Sequence, residues 1–469
     1  MDRSATFMDA LTEALGDKGV LRRSADMEAY LVEERGLYRG AAALVARPSS
    51  TEEVAAVVGL CNDHDIPIVP QGGNTGLCGG GVPDGGVVLS LGRMNAIRAI
   101  DPLNQTMTVD AGCILKNLRE SADDAGFLFP LSLGAEGACQ IGGNLATNAG
   151  GTAVLRYGNA RDLVLGLEVV TADGRIWNGL KGLRKDNTGY CLKHLFMGAE
   201  GTLGVITGAV LKLFPRPKTR LTCMAAASGV GNVLALFGKA RESFGDALTG
   251  FELLSGFGLG LVDKHIAGVR DPFRDRHPVY ALIELTSPRV DEGMKNALED
   301  FLGAAFESET VLDAVIASSE SQREELWAIR ESIPEAQKHE GGSIKHDVSV
   351  PISRVADFIE KASRAVTAEM EGLRICAFGH IGDGNIHFNL TQPEGRDKRT
   401  FLDHWPRFNR IVHDIAVEMD GSFSAEHGVG RLKTGEMDRY KSSVELELMR
   451  SVKTALDPRN LMNPGKVLG

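Results

Sequence analysis

The sequence predicts an α+β protein with two principal domains, the first built around glycine loops and the second around an antiparallel sheet covered by helices. Three observations lead there. The chain has 469 residues, too many for one ordinary core. Up to about Pro217 short alternating strands are separated by Gly-rich turns. Beyond "LFPRPKTR" the glycine density falls, and longer helical patterns alternate with strands such as "YALIELTS" and "KHDVSVPI". The boundaries expected are 1–217, 218–420 and a C-terminal segment 421–469.

The first stretch, "MDRSATFMDALTEALG", reads as an amphipathic helix; it carries acidic residues and lacks an apolar signal core, so cytoplasm is the default location. "LVARPSSTEEVAAVVGLCNDHDIPIVPQGG" then reads as strand, Ser-capped helix beginning near Thr51, and strand. "GVVLSLGRM", "IRAIDPLNQTMTVDAGC" and "LVLGLEVVTADGRIW" follow as strands broken by turn pairs such as Asp173-Gly174. The last segment is a helix closed by Asp457-Pro458 and a Pro-Gly turn. No apolar run approaches the roughly 20 residues of a membrane-spanning helix. A net charge of -11 argues against a nucleic-acid surface. Seven cysteines without a C-x-x-C pair suit reduced, buried thiols.

"PQGGNTGLCGGG", residues 70–81, places six glycines in twelve positions directly after a strand. Glycine admits positive φ and close approach, and consecutive N–H groups can converge on an anion, so a phosphate is the expected guest. Neither the dinucleotide fingerprint nor the P-loop fits, since no helix can begin at "CGGGVPDGG" and no Gly-Lys-Ser/Thr follows. "CQIGGNLATNAGGTAVLRYG" and "MGAEGTLGVIT" supply two further glycine patches, enough donors together for a long polar cofactor.

These three motifs in this order resemble the FAD-binding domain shared by vanillyl-alcohol oxidase and its relatives. The resemblance implies that Pro70, Gly72, Gly73, Asn74, Thr75, Gly76, Leu77, Gly79 and Gly80 wrap the FAD pyrophosphate. It assigns the flavin side to Pro130, Ser132, Leu133 and Gly134, together with Gly142, Gly143, Asn144, Thr147, Asn148, Gly150 and Gly151. Gly201, Val205 and Ile206 would hold the adenine end, and Asn463 belongs to the closing "NPGK". Members that tether the flavin carry a histidine where this chain has Asn74, which implies dissociable FAD.

"RICAFGHIGDGNIHFNL" reads as a hairpin with His380 and His387 flanking a Gly-Asp-Gly-Asn turn. Two imidazoles brought together could supply nitrogen ligands to a divalent metal, and "SFSAEHGVGRLK" adds Glu426 and His427. "GHIGDGNIHFN" followed about forty residues later by "SAEHGVG" resembles the FAD-dependent D-2-hydroxyacid dehydrogenases, nearest the D-2-hydroxyglutarate group, with D-lactate dehydrogenases and oxygen-using oxidases as alternatives. By that resemblance His380, His387 and Glu426 bind zinc or another divalent metal, and His427 is the catalytic base that also touches substrate. Arg330 and Lys345 would hold the substrate carboxylate. Asn389, two residues after His387 and on the same strand face, is a further expected hydrogen-bond donor to the 2-hydroxy acid. Pro334 stands where some relatives carry a substrate-touching threonine, which bears on substrate range. No motif names the electron acceptor; electron-transfer flavoprotein is the expectation, with quinone second, and family analogy implies a homodimer.

Overall fold

The computed structural model describes residues 3–469. The chain divides into two compact units. The first combines the residues up to Gly150 with Gly158–Arg216 and Glu426–Gly469; the second combines Gly151–Tyr157 with Pro217–Ala425.

In the first unit the opening helix Arg3–Leu15 buries Phe7, Leu11 and Leu15, the four-residue spacing that makes one helical face. Met1 and Asp2 of the expected helix lie outside the described residues. A four-stranded sheet runs in the order Val20–Leu21, Leu44–Ala46, Val87–Ser90, Ile68–Gln71. Its last three strands are parallel, so a crossover must join Leu44–Ala46 to Ile68–Gln71. Helix Thr51–Asp63 is that crossover. The Ser50 hydroxyl accepts from the Glu53 amide at its N-terminus, while Val54, Val57, Val58 and Cys61 turn to the core.

A five-stranded antiparallel sheet follows, ordered Ile97–Asp101, Thr106–Asp110, Gly204–Lys212, Val164–Thr171, Ile176–Gly179. Buried Glu168 ties it to the crossover helix, accepting from Thr51 Oγ1 at 2.6 Å, Arg98 Nη2 at 2.8 Å and Thr207 Oγ1 at 3.0 Å. The end of the chain returns to the first sheet, where Met462 bridges Ile68 in parallel and the Asn463 amide donates to the Ile68 carbonyl.

The second unit is one antiparallel sheet of eight strands. Its path runs Asp313–Ile316, Thr219–Ala227, Val279–Ser287, Leu248–Ser255, Arg374–Gly379, Asn385–Thr391, Ser343–Ile344, with Asp347–Ser349 also paired to Asn385–Thr391. Alternation along the strands feeds two cores. Cys223, Ala225, Ala281, Ile283 and Leu285 pack with helices Val230–Phe244, Gly293–Glu307, Val355–Glu369 and Trp405–Glu418. Met224, Ala226, Tyr280 and Leu282 face the other way, toward helices Gly256–His265 and Glu320–Lys338. The antiparallel sheet covered by helices is as expected, with helices on both faces.

Six of the seven cysteines are buried and all are free thiols, but Cys191 is exposed and corrects the expectation that every thiol is enclosed. Among the described residues no helix is long and apolar enough to cross a membrane.

Candidate active site

In the first unit, strand Ile68–Gln71 delivers the chain into the first glycine loop. That loop, the helix Ile141–Ala146 and the 200–206 turn line one open cavity of roughly 1040 Å³, counting its solvent-filled mouth. Pro70, Gly72 to Gly76, Gly79 and Gly80 line it, as do Gly142, Gly143, Asn144, Thr147, Gly201, Val205 and Ile206. His427 lies on the same wall.

Three features of this cavity fit an extended polar cofactor such as FAD. Among the described residues the consecutive amides of Gly73, Asn74, Thr75 and Gly76 donate to no backbone acceptor, which leaves them for an anion. A Cβ added at Gly76 or Gly143 would meet nothing within 4 Å and would project into open space, whereas one at Gly73 would strike the Ala138 carbonyl at 2.2 Å. Buried Gln71 Oε1, Gln140 Oε1 and Asn144 Oδ1 have no hydrogen-bond partner in the protein, so a ligand's N–H or O–H groups can satisfy them.

Asn74 adopts φ 53°, and its side-chain amide donates to the carbonyls of Ala29 at 3.1 Å and Val32 at 2.8 Å. Leu77, Pro130, Ser132, Leu133, Gly134, Asn148, Gly150 and Asn463 do not line the cavity. Several brace its surroundings instead. Ser132 accepts from Arg119 and donates to Glu136. Asn148, at φ 51°, accepts from the Arg161 amide. Asn463 donates to the carbonyls of Gly80 and Glu200. Gly151 belongs to the second unit.

Glu200 was not singled out from sequence, yet it organises the segment that follows His427. Its carboxylate accepts from the amides of Val429 at 2.7 Å and Gly430 at 2.8 Å. Burial pushes the carboxyl upward, against the pull of those two amides and of Lys433 and Lys466. A Cβ at Gly428 would sit 2.8 Å from its Oε1, so the close approach requires glycine there.

The second unit holds the histidine hairpin. Strands Arg374–Gly379 and Asn385–Thr391 pair with Phe378 opposite His387 and Cys376 opposite Asn389. The turn is closed by the Asp383 and Gly384 amides donating to the His380 carbonyl, with Gly379 at φ 146° and Gly384 at φ 87°. The rings of His380 and His387 are 5.8 Å apart, nearly perpendicular. His387 Nδ1 lies 3.8 Å from Asp347, a carboxylate the sequence reading passed over.

Asp347 and His387 in the second unit, and Glu426 and His427 in the first, each pair an imidazole nitrogen with a carboxylate oxygen that could hold a metal ion. His380, expected from sequence as a ligand, is not among these donors, and its Nδ1 meets Glu252 at 2.7 Å. Nitrogen and carboxylate oxygen donors of this kind fit zinc.

Arg330 lies on helix Glu320–Lys338 and is buried. Its Nε donates to Glu252 at 2.7 Å and its guanidinium stacks 4.9 Å from the centroid of Phe378. Burial raises the Glu252 carboxyl, but His380 and Arg330 overcome it and bring the group down to about 2. Half-buried Lys345 sits between two short strands rather than at the start of one. It and Arg330 both act on the thiol of Cys376, which burial nonetheless pushes up to about 12. Asn389 is buried, and its amide nitrogen donates to Gln337 at 2.9 Å.

Sequence comparison decides the family. The family described as "FAD binding domain" matches residues 42–179, and "FAD linked oxidases, C-terminal domain" matches residues 216–467. A probable D-2-hydroxyglutarate dehydrogenase of Oryza sativa subsp. indica is 40% identical over 97% of this chain and 80% of its own length. The zebrafish (Danio rerio) D-2-hydroxyglutarate dehydrogenase is 39% identical over 92% and 79%. The chain belongs to the FAD-linked D-2-hydroxyacid dehydrogenase family. This dehydrogenase is also 35% identical, over 92% of its length and 87% of the relative's, to a D-2-hydroxyglutarate–pyruvate transhydrogenase of Saccharomyces cerevisiae.

The vanillyl-alcohol oxidase fold is seen in solved structures as well. A substrate-bound p-cresol methylhydroxylase superposes with TM-score 0.78 at 19% identity over 99% of the dehydrogenase and 97% of that chain. The dehydrogenase is thus an FAD-dependent oxidoreductase acting on a D-2-hydroxy acid. The cytoplasmic expectation is overturned by the rice and zebrafish relatives, both named as mitochondrial proteins; cytoplasm was a default from the missing signal pattern, with no positive residue behind it.

Proposed function

We propose that this dehydrogenase oxidises a D-2-hydroxy diacid, D-2-hydroxyglutarate before D-malate, to the 2-oxo acid, with metal assistance and with electrons passed to an external carrier. The observation that carries the reading is His427 on the wall of the glycine-loop cavity. The names of the relatives support the substrate.

FAD held along the glycine-loop cavity would supply the two-electron acceptor for oxidation of the hydroxy acid. His380, His387 and Glu426 would hold a divalent ion, zinc by preference, which would supply Lewis acidity toward the substrate. His427 takes the hydroxyl proton on an imidazole nitrogen. Arg330 and Lys345 hold carboxylate, and Arg330 suits that task because only its Nε is engaged by Glu252 while its two terminal nitrogens make no hydrogen bond among the described residues. Asn389 orients substrate from the same strand face as His387, with Gln337 steadying it. An amide at Asn74, engaged by the Ala29 and Val32 carbonyls, agrees with FAD held without a covalent bond. Electron-transfer flavoprotein is the acceptor we favour, and a homodimer the assembly.

D-lactate is the second reading, supported by a putative D-lactate dehydrogenase of Schizosaccharomyces pombe that is 38% identical over 94% of this chain. Anaerobic bleaching of the flavin by D-2-hydroxyglutarate, D-malate and D-lactate, before and after chelation and zinc add-back, tests both. Fast bleaching by the diacids that chelator abolishes and zinc restores is the expected result. Bleaching by D-lactate alone, or indifference to chelator, would overturn the diacid or the metal part respectively.

A further inference from the structure

Glu252 is a carboxylate in the middle of strand Leu248–Ser255, fully enclosed, opposite Leu282 in the ladder. Burying a carboxylate for stability alone is poor economy, since an apolar side chain of similar size does as well or better. Its two oxygens are divided between two partners: Oε1 meets His380 Nδ1 and Oε2 meets Arg330 Nε, each at 2.7 Å. The contacts continue around a closed ring. Arg330 stacks on Phe378, the Phe378 ring lies 5.1 Å from that of His387, and His387 faces His380 at 5.8 Å.

We propose that Glu252 is a positioning residue that sets the substrate-binding arginine and the metal-binding histidine at once, so that carboxylate recognition and metal affinity are coupled through one side chain. The inference rests on the metal and substrate roles given above. An ionised carboxylate only accepts, so a neutral His380 would carry its proton on Nδ1, toward Glu252, and Nε2 would be the nitrogen whose lone pair can ligate. The same carboxylate fixes Arg330 through Nε, with Phe378 holding the guanidinium plane, and leaves the two terminal nitrogens for a substrate carboxylate. A shift of Glu252 moves both groups together.

Glu252→Gln tests this with the shape of the side chain kept. The new amide nitrogen donates to His380 Nδ1, selects the tautomer with hydrogen on Nε2 and blocks the ligand atom, while the amide oxygen still accepts from Arg330. The measurement is zinc affinity of the FAD-loaded, metal-stripped enzyme, read by competition with a chromophoric chelator, beside KM for D-2-hydroxyglutarate and histidine ¹⁵N shifts that report the tautomer.

The expected result is a zinc affinity about 10–100-fold weaker, the range typical of lost outer ligand contacts. KM should rise with it, the His380 tautomer should switch, and FAD content should not change. Glu252→Asp, which keeps the charge on a shorter arm, should recover part of the zinc affinity. Zinc binding within threefold of wild type in Glu252→Gln, or a fall in melting temperature as its only effect, overturns the role of Glu252. Wild-type protein that binds no divalent ion overturns the metal reading itself, and with it the coupling.

Discussion

The two units prepare for their ligands in opposite ways. The glycine-loop unit offers bare backbone, with four consecutive amides that donate to no backbone acceptor among the described residues. The sheet unit offers buried charge, with Arg330, Glu252 and His380 locked together between strands and a helix. A long, flexible, phosphate-bearing cofactor is best met by many weak donors along an open path. A small acid is best met by a few charges whose positions are fixed in advance. Side-chain substitutions should therefore act sharply in the second unit and at His427, and added volume should act mainly on the glycine loops.

The largest effect expected is at His427. His427→Ala should slow flavin reduction by about 10²–10⁴-fold, the usual contribution of a general base, with FAD still bound. Stopped-flow reduction at unchanged rate would end its assignment as the base. Next is Arg330→Ala, which leaves Glu252 enclosed with one partner fewer; a destabilisation of about 3 kcal/mol in urea titrations should accompany a KM raised at least tenfold. A KM that stays put would restrict Arg330 to structure.

The glycine loops sharpen the contrast. Gly143→Ala adds a methyl where nothing lies within 4 Å, so FAD affinity should fall roughly tenfold, as for about 1.4 kcal/mol, while apoprotein stability holds. Gly73→Ala meets a carbonyl at 2.2 Å and should destabilise the apoprotein instead. Equal behaviour of the two variants in a melting assay would break the distinction between loop faces that touch cofactor and faces that touch protein.

A last prediction concerns stability alone. Glu340 accepts from Lys264 and His265 at 2.6 Å and pairs with Arg374, which hold its carboxyl at about 2 against a usual 4.5. A depressed carboxyl contributes stability above its unfolded value that disappears as pH falls toward the folded one. Glu340→Gln should thus cost on the order of 2 kcal/mol at neutral pH, and the difference from wild type should close between about pH 4.5 and pH 2. A difference independent of pH would remove the ion cluster as its cause.

The strands, the Ser50-capped crossover, the hairpin and the loop-lining glycines were legible because each depends on local chemistry: alternation, a capping hydroxyl, a Gly-Asp-Gly turn. Glu252, Glu200 and Asp347 were not. Each is an acidic residue whose partner lies far along the chain, as Glu252 and His380 do at a separation of 128 residues, and no spacing rule reaches that far. Arg330 shows the same limit from the other side, since a charge on a helix looks solvated until its helix is packed. The helix Glu320–Lys338 also runs through Pro334, a residue that sequence reasoning would use to end it; packing of Ile329, Ile333 and Ala336 against the sheet outweighs the lost hydrogen bond.

The return of residues 426–469 to the first unit has a consequence for how the enzyme is made. Asn463 reaches back to Gly80 across 383 residues of chain. At a synthesis rate of about 5–20 residues per second, the glycine loop leaves the ribosome roughly 20–80 s before the segment that braces it. Throughout that interval the whole second unit is being synthesised, and the cavity wall lacks His427. The second unit can therefore complete its sheet during translation, whereas the brace from Asn463 to the glycine loop forms only after residue 463 emerges, and a chain arrested short of residue 426 would carry the histidine hairpin with neither Glu426 nor His427.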